Sequence, residues 1–298
     1  MKVLNFGSLN LDYVYNVDHM VAAGETQNSL AMNTFCGGKG LNQSIALARA
    51  GARVYHAGLI GEEGAALYDA LKEANVHTDF VKTIEGKSGH TIIQVDKNGQ
   101  NCILLYGGAN RCMCREYIDQ VLEAFSQGDI LLLQNEINLL DYLIDCAYDK
   151  GMRIVLNPSP YDENLDCCDL GKVSLFLINE IEGEQITGER KPEHILQKMK
   201  EAYPDAGVVL TLGGDGAVYQ DDACLCRQPI YAVEAVDTTA AGDTFTGYFL
   251  TALIEGKSVE EGLDLAAKAS AIAVTRKGAA PSIPLRSEVL SAGLTPKQ

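Results

Sequence analysis

The sequence predicts an α/β protein of three layers, in which helices cover both faces of a mostly parallel central sheet and a small second sheet projects from it. Short apolar runs typical of buried strands alternate with helical patterns along the chain. Two β-rich stretches, residues 11–35 and 89–107, interrupt that alternation. Apolar residues make up 47% and charged residues 21% of the 298 residues, which favours one large core and a single domain over residues 1–298.

The predicted strands of the central sheet are short and almost wholly apolar, a pattern typical of strands that are buried on both faces. They are residues 3–6, 54–60, 130–133, 154–156, 175–178 and 208–212. Helical patterns separate them, and strands joined through helices favour right-handed crossovers and a parallel sheet. The predicted helices are residues 40–50, 65–74, 116–125, 139–150, 242–255 and 259–276.

The two β-rich stretches are expected to form the small second sheet. Residues 89–107 contain the turn Asp96-Lys97-Asn98-Gly99 between two β-rich runs, which predicts a hairpin. We expect both stretches to be antiparallel and to come together as a lid over a site or as a surface for dimerisation. The alternative is two surface hairpins without a functional role.

The charge of the chain disfavours several classes of partner. Lys and Arg total 24 against 40 Asp and Glu, and the net charge of -16 repels nucleic acid and anionic membranes. No apolar run approaches the roughly 20 residues that span a bilayer, and the first residues lack the apolar stretch of a secretion signal. Nine scattered cysteines without zinc-knuckle spacing favour a reducing compartment. We therefore expect a soluble cytoplasmic protein that binds neither nucleic acid nor membranes.

Two common nucleotide-binding motifs are absent from the sequence. Gly-x-x-x-x-Gly-Lys-Ser/Thr does not occur, and the first predicted strand is followed by Gly-Ser-Leu-Asn-Leu-Asp at residues 7–12 instead of Gly-x-Gly-x-x-Gly. A P-loop enzyme and a nicotinamide-linked dehydrogenase are therefore disfavoured.

The run Asp-Thr-Thr-Ala-Ala-Gly-Asp at residues 237–243 leads from a short β-like segment into a long helical pattern. Small residues at Ala240, Ala241 and Gly242 would leave backbone N–H groups at the helix start free to bind an anion. Asp243 would then be placed to accept a proton from a hydroxyl group while the helix start stabilises developing charge. Read locally, the same residues are only an N-capped helix with an aspartate in its first turn.

The turn Gly-Gly-Lys-Gly at residues 37–40 opens a helical pattern whose first turn carries Asn42 and Gln43. These polar side chains are candidates for hydrogen bonding to sugar hydroxyls. The alternative is an ordinary left-handed turn before a helix. Asn10 and Asp12 follow the first strand and are further candidates for sugar hydroxyls, because buried polar groups discriminate strongly between substrates. Their alternative is a turn with Asx hydrogen bonds.

Two more polar segments follow predicted strands. Asn179 and Glu182 come after residues 175–178, at the carboxyl edge of the sheet, where open α/β folds bind ligands. Glu182 is a candidate for holding magnesium through water, with Asn179 near the phosphates. The glycine loop at residues 211–216 is placed to pass close to a nucleotide. The alternatives are an acidic first turn of a helix and a hairpin turn.

Taken in order, these motifs resemble those of the ribokinase family of carbohydrate kinases, and the similarity extends from Gly7 to Pro284. The resemblance implies a ribokinase-like three-layer fold with a small β-sheet lid. It also implies ATP-dependent phosphorylation of a sugar hydroxyl, with D-ribose as the favoured acceptor. Deoxyribose, fructose, a keto-deoxy sugar acid and a nucleoside stay open as acceptors. A sugar-binding regulator without turnover is the alternative from another class, and the intact Asp243 argues against it.

The resemblance further implies roles for individual residues. Sugar binding is implied for Asn10, Asp12, Gly38, Lys39, Asn42 and Glu136. Asp243 would be the base, beside an anion hole formed by Ala240, Ala241 and Gly242. ATP binding, with Mg²⁺ on the phosphates, is implied for Asn179, Glu182, Thr211, Gly213, Gly216 and Gly242. A monovalent cation, usually K⁺, would be held by Asp237, Thr239, Ala273, Arg276, Gly278 and Ser282. A homodimer through the lid sheet is also expected.

Three positions depart from the family pattern. Ala267 stands where relatives often carry His or Asn beside the adenine, which predicts altered nucleotide affinity or base choice. Ala22 and Ala23 stand where many relatives have a proline. Residues 111–114, Arg-Cys-Met-Cys, lie in a region that relatives use near the sugar pocket.

Overall fold

The computed structural model describes residues 1–297 and contains two β-sheets. The larger sheet has nine strands in the order β13-β12-β11-β10-β9-β8-β1-β4-β5. Their bounds are β1 Val3–Phe6, β4 Val54–Ile60, β5 His77–Thr83, β8 Ile130–Gln134, β9 Arg153–Asn157, β10 Leu175–Asn179, β11 Gly207–Thr211, β12 Ala217–Gln220 and β13 Leu225–Gln228. The six strands predicted from apolar runs are all present, and they pair in parallel as expected.

The pattern of apolar runs did not reveal the strands at the two edges of this sheet. β13 at one edge alternates exposed with buried or part-buried positions, and β5 at the other has four exposed positions among its seven, so neither forms a continuous apolar run. β12 is the strand that runs against the others, and it pairs antiparallel with both β11 and β13. The central sheet is therefore mostly parallel, with one antiparallel strand near its edge.

Helices cover both faces of the larger sheet. Their bounds are α1 Lys39–Ala50, α2 Ala65–Glu73, α3 Arg115–Leu122, α4 Leu140–Asp149, α5 Glu180–Thr187, α6 Pro192–Ala202, α7 Ala241–Ile254, α8 Val259–Ala273 and α9 Arg286–Ser291. On β8, Ile130 and Leu132 face the core formed with α1, α2, α7 and α8, whereas Leu131 and Leu133 face the core formed with α3, α4 and α6. Within residues 1–297, none of these helices has the length and apolar character needed to cross a membrane.

The smaller sheet has four strands in the order β3-β2-β6-β7, with β2 Asn10–Asn16, β3 Ala31–Gly37, β6 Gly89–Val95 and β7 Asn101–Tyr106. Each predicted β-rich stretch is an antiparallel hairpin, but the expectation of a wholly antiparallel arrangement is wrong because β2 and β6 pair in parallel. The reason is topological. Both strands leave the carboxyl edge of the central sheet, β2 after β1 and β6 after β5, so they enter the smaller sheet in the same direction.

A close contact between α1 and α7 determines the geometry of the site. A Cβ atom added to Gly247 would lie 2.4 Å from the Cβ of Ala46, a distance that folded proteins do not tolerate. Glycine in α7 and alanine in α1 therefore allow the two helices to pack closely. Their first turns come together as a result. The first N–H groups of α1, those of residues 39–41, donate to Glu136 and Ser8, and the N–H group of Ala241 in α7 donates to the Thr238 carbonyl.

Candidate active site

Asp243 lies in the first turn of α7 and is 8% exposed. The residue before the helix, Ala240, has φ 59° and ψ 12°, a left-handed conformation that costs energy for a non-glycine residue and is common at functional sites. Nothing lies within 4 Å of the position that a Cβ of Gly242 would occupy. The first turn of α7 is therefore open on the side of Gly242 and can receive an anion.

The first turn of α1 holds both oxygens of Asp243. The side-chain nitrogen of Asn42 donates to Oδ2 over 3.0 Å, and that of Gln43 donates to Oδ1 over 2.9 Å. Hydrogen bonds with a charged partner are stronger than neutral ones, and two of them fix the plane of the carboxylate. Asp243 and Asn42, which the sequence places in separate motifs, are thus brought into direct contact.

Two of the predicted sugar-binding residues lie at the base of the smaller sheet. Oδ1 of Asn10 accepts from Asn110 over 2.7 Å, and Oδ1 of Asp12 accepts from the Thr91 hydroxyl over 2.5 Å. A Cβ on Gly37 would lie 1.9 Å from Oδ2 of Asp12, so the glycine turn makes room for this carboxylate. Burial raises the pKa of Asp12 to about 6, while Thr91 opposes the shift.

Lys39 and Glu136 connect the glycine turn to the end of β8. Oε2 of Glu136 accepts from the backbone N–H of Lys39 over 3.0 Å and also from the Ser8 hydroxyl. Burial raises the pKa of Glu136, and Lys39 opposes that shift. Burial opposes the charge of the Lys39 ammonium, but the fields of Asp243, Glu136 and Glu182 outweigh it and raise the pKa of Lys39. Lys39 is therefore a positive charge held among three carboxylates.

A cleft of about 230 Å³ extends from Lys39 and Asp243 past the ends of β10 and β11. Asn179, Glu182 and Thr211 line this cleft. Asn179 and Glu182 also form the capping box of α5, with Oε2 and Oε1 of Glu182 accepting from the backbone and side chain of Asn179 over 2.8 and 3.0 Å. Asn179 and Glu182 can therefore cap α5 and also face a ligand, because the cap lies at the wall of the cleft.

A second cavity of about 380 Å³ adjoins this cleft and shares Thr211, Gly242 and Phe245 with it. Its walls are mostly apolar, and its volume is in the range typical of small-molecule sites. The predicted nucleotide residues Gly213 and Gly216 line it, and both have positive φ, 49° and 94°. Ala267, Tyr231, Val233, Ala271 and Val274 also line this cavity. The glycine loop is the hairpin between β11 and β12, and it forms part of the cavity wall.

The residues predicted for a monovalent cation come together only in part. Oδ1 of Asp237 accepts from the N–H of Thr239 over 2.9 Å, and Oδ2 accepts from the N–H of Gly278 over 2.9 Å. Partial burial opposes the charge of Asp237, but these hydrogen bonds outweigh it and hold its pKa below the ordinary value. Arg276 donates its backbone N–H to the Ala273 carbonyl over 3.0 Å, while its guanidinium pairs with a glutamate of α9.

Ser282, the last of the predicted cation residues, is fully buried. Its hydroxyl donates to the Ala279 carbonyl over 2.7 Å. The structure thus joins the loop at residues 237–239 to Gly278, next to the start of α7. The guanidinium of Arg276 is cationic and paired, so a contribution from Arg276 to a cation site would come from its backbone carbonyl. The Ser282 hydroxyl donates its proton but keeps oxygen lone pairs that suit a cation.

Comparison with known proteins identifies the family. The family model described as pfkB family carbohydrate kinase matches residues 1–286. The chain belongs to the pfkB family of carbohydrate kinases. This family member is 36% identical over 293 residues to the ribokinase of Haemophilus influenzae, a match that covers 95% of each chain.

Solved structures agree with the pfkB assignment. The ribokinase of Thermotoga maritima superposes with a TM-score of 0.88 at 34% identity, covering 97% of this chain and 98% of that one. The ribokinase of Arabidopsis thaliana, solved with ribose and ATP, superposes with a TM-score of 0.86 at 31% identity, covering 97% of both chains. The predicted ribokinase-like fold is therefore confirmed.

Several polar residues of this kinase site have roles that the sequence did not predict. Gln43 was grouped with Asn42 as a residue for sugar hydroxyls, but its side chain lies behind Asp243 and both of its N–H groups have protein partners. Asn110, which directly precedes residues 111–114, donates to Asn10 and supports it. Gln134 and Asn157, at the ends of β8 and β9, carry no local signal except that they are amides closing apolar strands.

Proposed function

We propose that this chain transfers the γ-phosphoryl group of ATP to D-ribose, giving ribose 5-phosphate and ADP. The position of Asp243 carries the proposal, because this carboxylate is oriented by the sugar-side turn of α1 and stands in the cleft that leads to the second cavity. The likeness to a ribokinase solved with ribose and ATP supports the choice of both substrates.

In the proposed reaction, Asp243 accepts the proton of the sugar hydroxyl as its oxygen attacks the γ-phosphorus. The bond between that phosphorus and the bridging oxygen breaks, and ADP leaves. We assign the anion hole that stabilises the developing charge to the backbone at Ala240 and Gly242. The third residue expected there, Ala241, does not contribute its N–H group, because that group donates to the Thr238 carbonyl over 3.2 Å. The Lys39 ammonium adds a positive charge beside Asp243, which offsets the overall negative charge of the chain.

The sugar and nucleotide then occupy opposite ends of the cleft. We assign the sugar to the end formed by Asn10, Asp12, Gly38, Lys39, Asn42 and Glu136, where the acceptor oxygens match hydroxyl groups. We assign ATP to Asn179, Glu182, Thr211, Gly213, Gly216 and Gly242, with the nucleoside in the apolar cavity. The glycine loop permits close backbone approach because two of its residues have positive φ.

Magnesium and a monovalent cation complete the proposal. The Glu182 carboxylate at the cleft wall suits a hard cation bound through water, and bound Mg²⁺ would neutralise charge on the phosphates. Asp237 and Thr239, with backbone oxygens of the segment from Ala273 to Ser282, suit a large, weakly hydrated ion such as K⁺. Asp237 fits this role because it is ionised and tied to both loops. Replacing K⁺ by tetramethylammonium should lower activity, and indifference to the ion would contradict the site.

We propose that the smaller sheet, including residues 11–35 and 89–107, is a lid within a single domain over residues 1–298. Its two parallel strands, β2 and β6, begin at Asn10 and Gly89, which pair in register beside the sugar residues. Closure over the sugar would exclude water and limit hydrolysis of ATP. If the lid closes over the sugar, bound sugar should protect a protease-sensitive bond in this sheet from cleavage. Identical cleavage with and without sugar would contradict the closure.

The outer face of this sheet is proposed to join two copies of the chain. On the face of the sheet opposite Asp12, Met32, Ile92, Leu104 and Tyr106 are each at least 40% exposed, which forms an apolar surface unusual for a monomer. A second copy offers the same surface, as a two-fold dimer requires. We expect sedimentation to show a dimer that Leu104→Glu dissociates, and a wild-type monomer would contradict the proposal.

With all nine cysteines free, we also propose a reducing cytoplasmic location.

Identification of the product tests the proposed reaction. Incubation with ATP and D-ribose should give one sugar phosphate whose phosphorus NMR couplings place the phosphate on the terminal carbon. A phosphate on another carbon would contradict the proposed position of the reacting hydroxyl beside Asp243. Absence of any phosphorylated sugar with every acceptor tested would favour the non-catalytic sugar-binding alternative.

A further inference from the structure

We infer that Gln43 is a positioning residue for Asp243, and that a buried chain of side chains behind it fixes which end of the Gln43 amide faces that carboxylate. The inference rests on the proposed role of Asp243 as the base. It goes beyond that role because it assigns a function to Gln43, Gln134 and Asn5, none of which lines either cavity.

Gln43 is fully buried between α1 and the carboxyl edge of the central sheet. Its Nε2 donates to Oδ1 of Asp243 over 2.9 Å and to Oδ1 of Asn157 over 3.2 Å. Its Oε1 accepts from Nε2 of Gln134 over 2.6 Å. Every polar atom of the Gln43 side chain therefore has a partner, and its two ends have opposite hydrogen-bonding roles.

The chain continues from Gln134 into the sheet. Gln134 donates its second N–H to Oδ1 of Asn5 over 2.9 Å. Nδ2 of Asn5 donates to the Gly40 carbonyl over 2.7 Å and to the Ser44 hydroxyl over 2.8 Å. Asn5, Gln134 and Ser44 are all fully buried. Bulk water therefore does not reach these side chains to replace their hydrogen-bond partners.

The polarity of the chain is set at its far end. The Gly40 carbonyl can only accept, so Asn5 must turn its NH₂ group toward it and its oxygen toward Gln134. Gln134 must then donate, which leaves the Gln43 oxygen to accept and the Gln43 NH₂ group to face Asp243. A backbone carbonyl at the start of α1 thus fixes the orientation of an amide beside the base.

The last member of the chain is consistent with this polarity. The Ser44 hydroxyl lies 2.8 Å from Nδ1 of His56. Because that hydroxyl accepts from Asn5, its proton is available to Nδ1. Burial lowers the pKa of His56 to about 3, so the ring is neutral and Nδ1 can accept. The neutral ring therefore does not reverse the donor–acceptor direction of these hydrogen-bonded side chains.

This arrangement bears on catalysis through geometry. Proton transfer requires the base to lie within hydrogen-bond reach of the reacting hydroxyl, and small displacements lower the rate strongly. Asn5 lies on β1, Gln134 ends β8 and Gln43 lies on α1, so the chain ties Asp243 to rigid elements. Since Gln43 lines neither cavity, its loss should lower kcat and leave the KM values nearly unchanged.

The test uses two variants and a control, assayed with the acceptor that the wild-type enzyme prefers. Gln43→Met keeps the volume but removes the hydrogen bond, and kcat should fall about 10- to 100-fold with KM values for sugar and ATP within about threefold. Gln134→Glu leaves Gln43 intact but presents an acceptor to its oxygen, which favours rotation of the amide, and kcat should fall similarly. Thr251→Ala perturbs the same helix as Asp243 two turns further on and should keep kcat.

The outcomes separate the inference from the proposed function. A wild-type enzyme without turnover for any acceptor would contradict the proposed function. An active wild type whose Gln43→Met variant keeps full kcat would contradict only the positioning role, as would a loss confined to KM. Should both variants fail to fold, the side-chain NH₂ protons of Gln43 and Gln134 in the wild-type protein provide the test. NMR should show them protected from exchange, and rapid exchange would contradict the buried chain.

Discussion

Replacement of the base is the most direct perturbation of the proposed chemistry. Asp243→Asn keeps the shape of the side chain but removes its capacity to take a proton, so kcat should fall at least about 100-fold. The structure adds a second effect. Asn42 and Gln43 each donate to one oxygen of Asp243, so the new NH₂ group must face one of these donors. Such a mismatch typically costs about 1–3 kcal/mol of stability.

A coupled assay of ADP release, with thermal unfolding measured in parallel, separates the two effects. At a temperature where the variant is fully folded, the loss of kcat should remain. Asp222→Asn is the matched control, because this aspartate is exposed at the turn between β12 and β13 and pairs only with a surface lysine. Turnover of Asp243→Asn at the wild-type rate would refute the assignment of the base, whatever its melting temperature.

Three further predictions follow from other parts of the site. The sugar KM should rise as the pH falls through about 6, because Asp12 becomes protonated there and loses acceptor capacity, and a flat KM would contradict its role. Gly247→Ala should lower stability by about 1–3 kcal/mol in denaturant unfolding, since the new methyl group overlaps Ala46, and an unchanged midpoint would contradict the close helix contact. Ala267→Phe should raise the KM for ATP because the larger side chain fills part of the apolar cavity, whereas Ala267→Ser should not. Equal KM values for the two variants would contradict the assignment of the nucleoside to this cavity.

Much of the fold could be predicted because its core strands are continuous apolar runs. β1, β4 and β10 are buried at almost every position, so their sequences report the layer they occupy without reference to partners. Edge strands such as β13 and the parallel pairing of β2 with β6 depend on which segments meet in space. Local patterns do not carry that information, and the prediction of the smaller sheet was wrong in this respect.

The candidate site shows the same division. Asp243 and the turn at residues 37–40 could be singled out because glycines and small residues at helix starts have a local physical meaning. The contact between Asp243 and Gln43 joins residues 200 positions apart in sequence, and it depends on the close packing of α1 and α7. The amides of Asn5 and Gln134 look like ordinary strand residues until the sheet brings them beside Gln43.

The preference among acceptors tests the central claim most directly. ADP release should be measured for the wild-type enzyme with ATP and a panel of D-ribose, deoxyribose, fructose, a keto-deoxy sugar acid and nucleosides, in the presence of K⁺. The proposed function predicts the highest kcat/KM for D-ribose. A higher kcat/KM for any other acceptor would contradict the assignment to ribose, and the absence of ADP release with all of them would contradict the kinase activity itself.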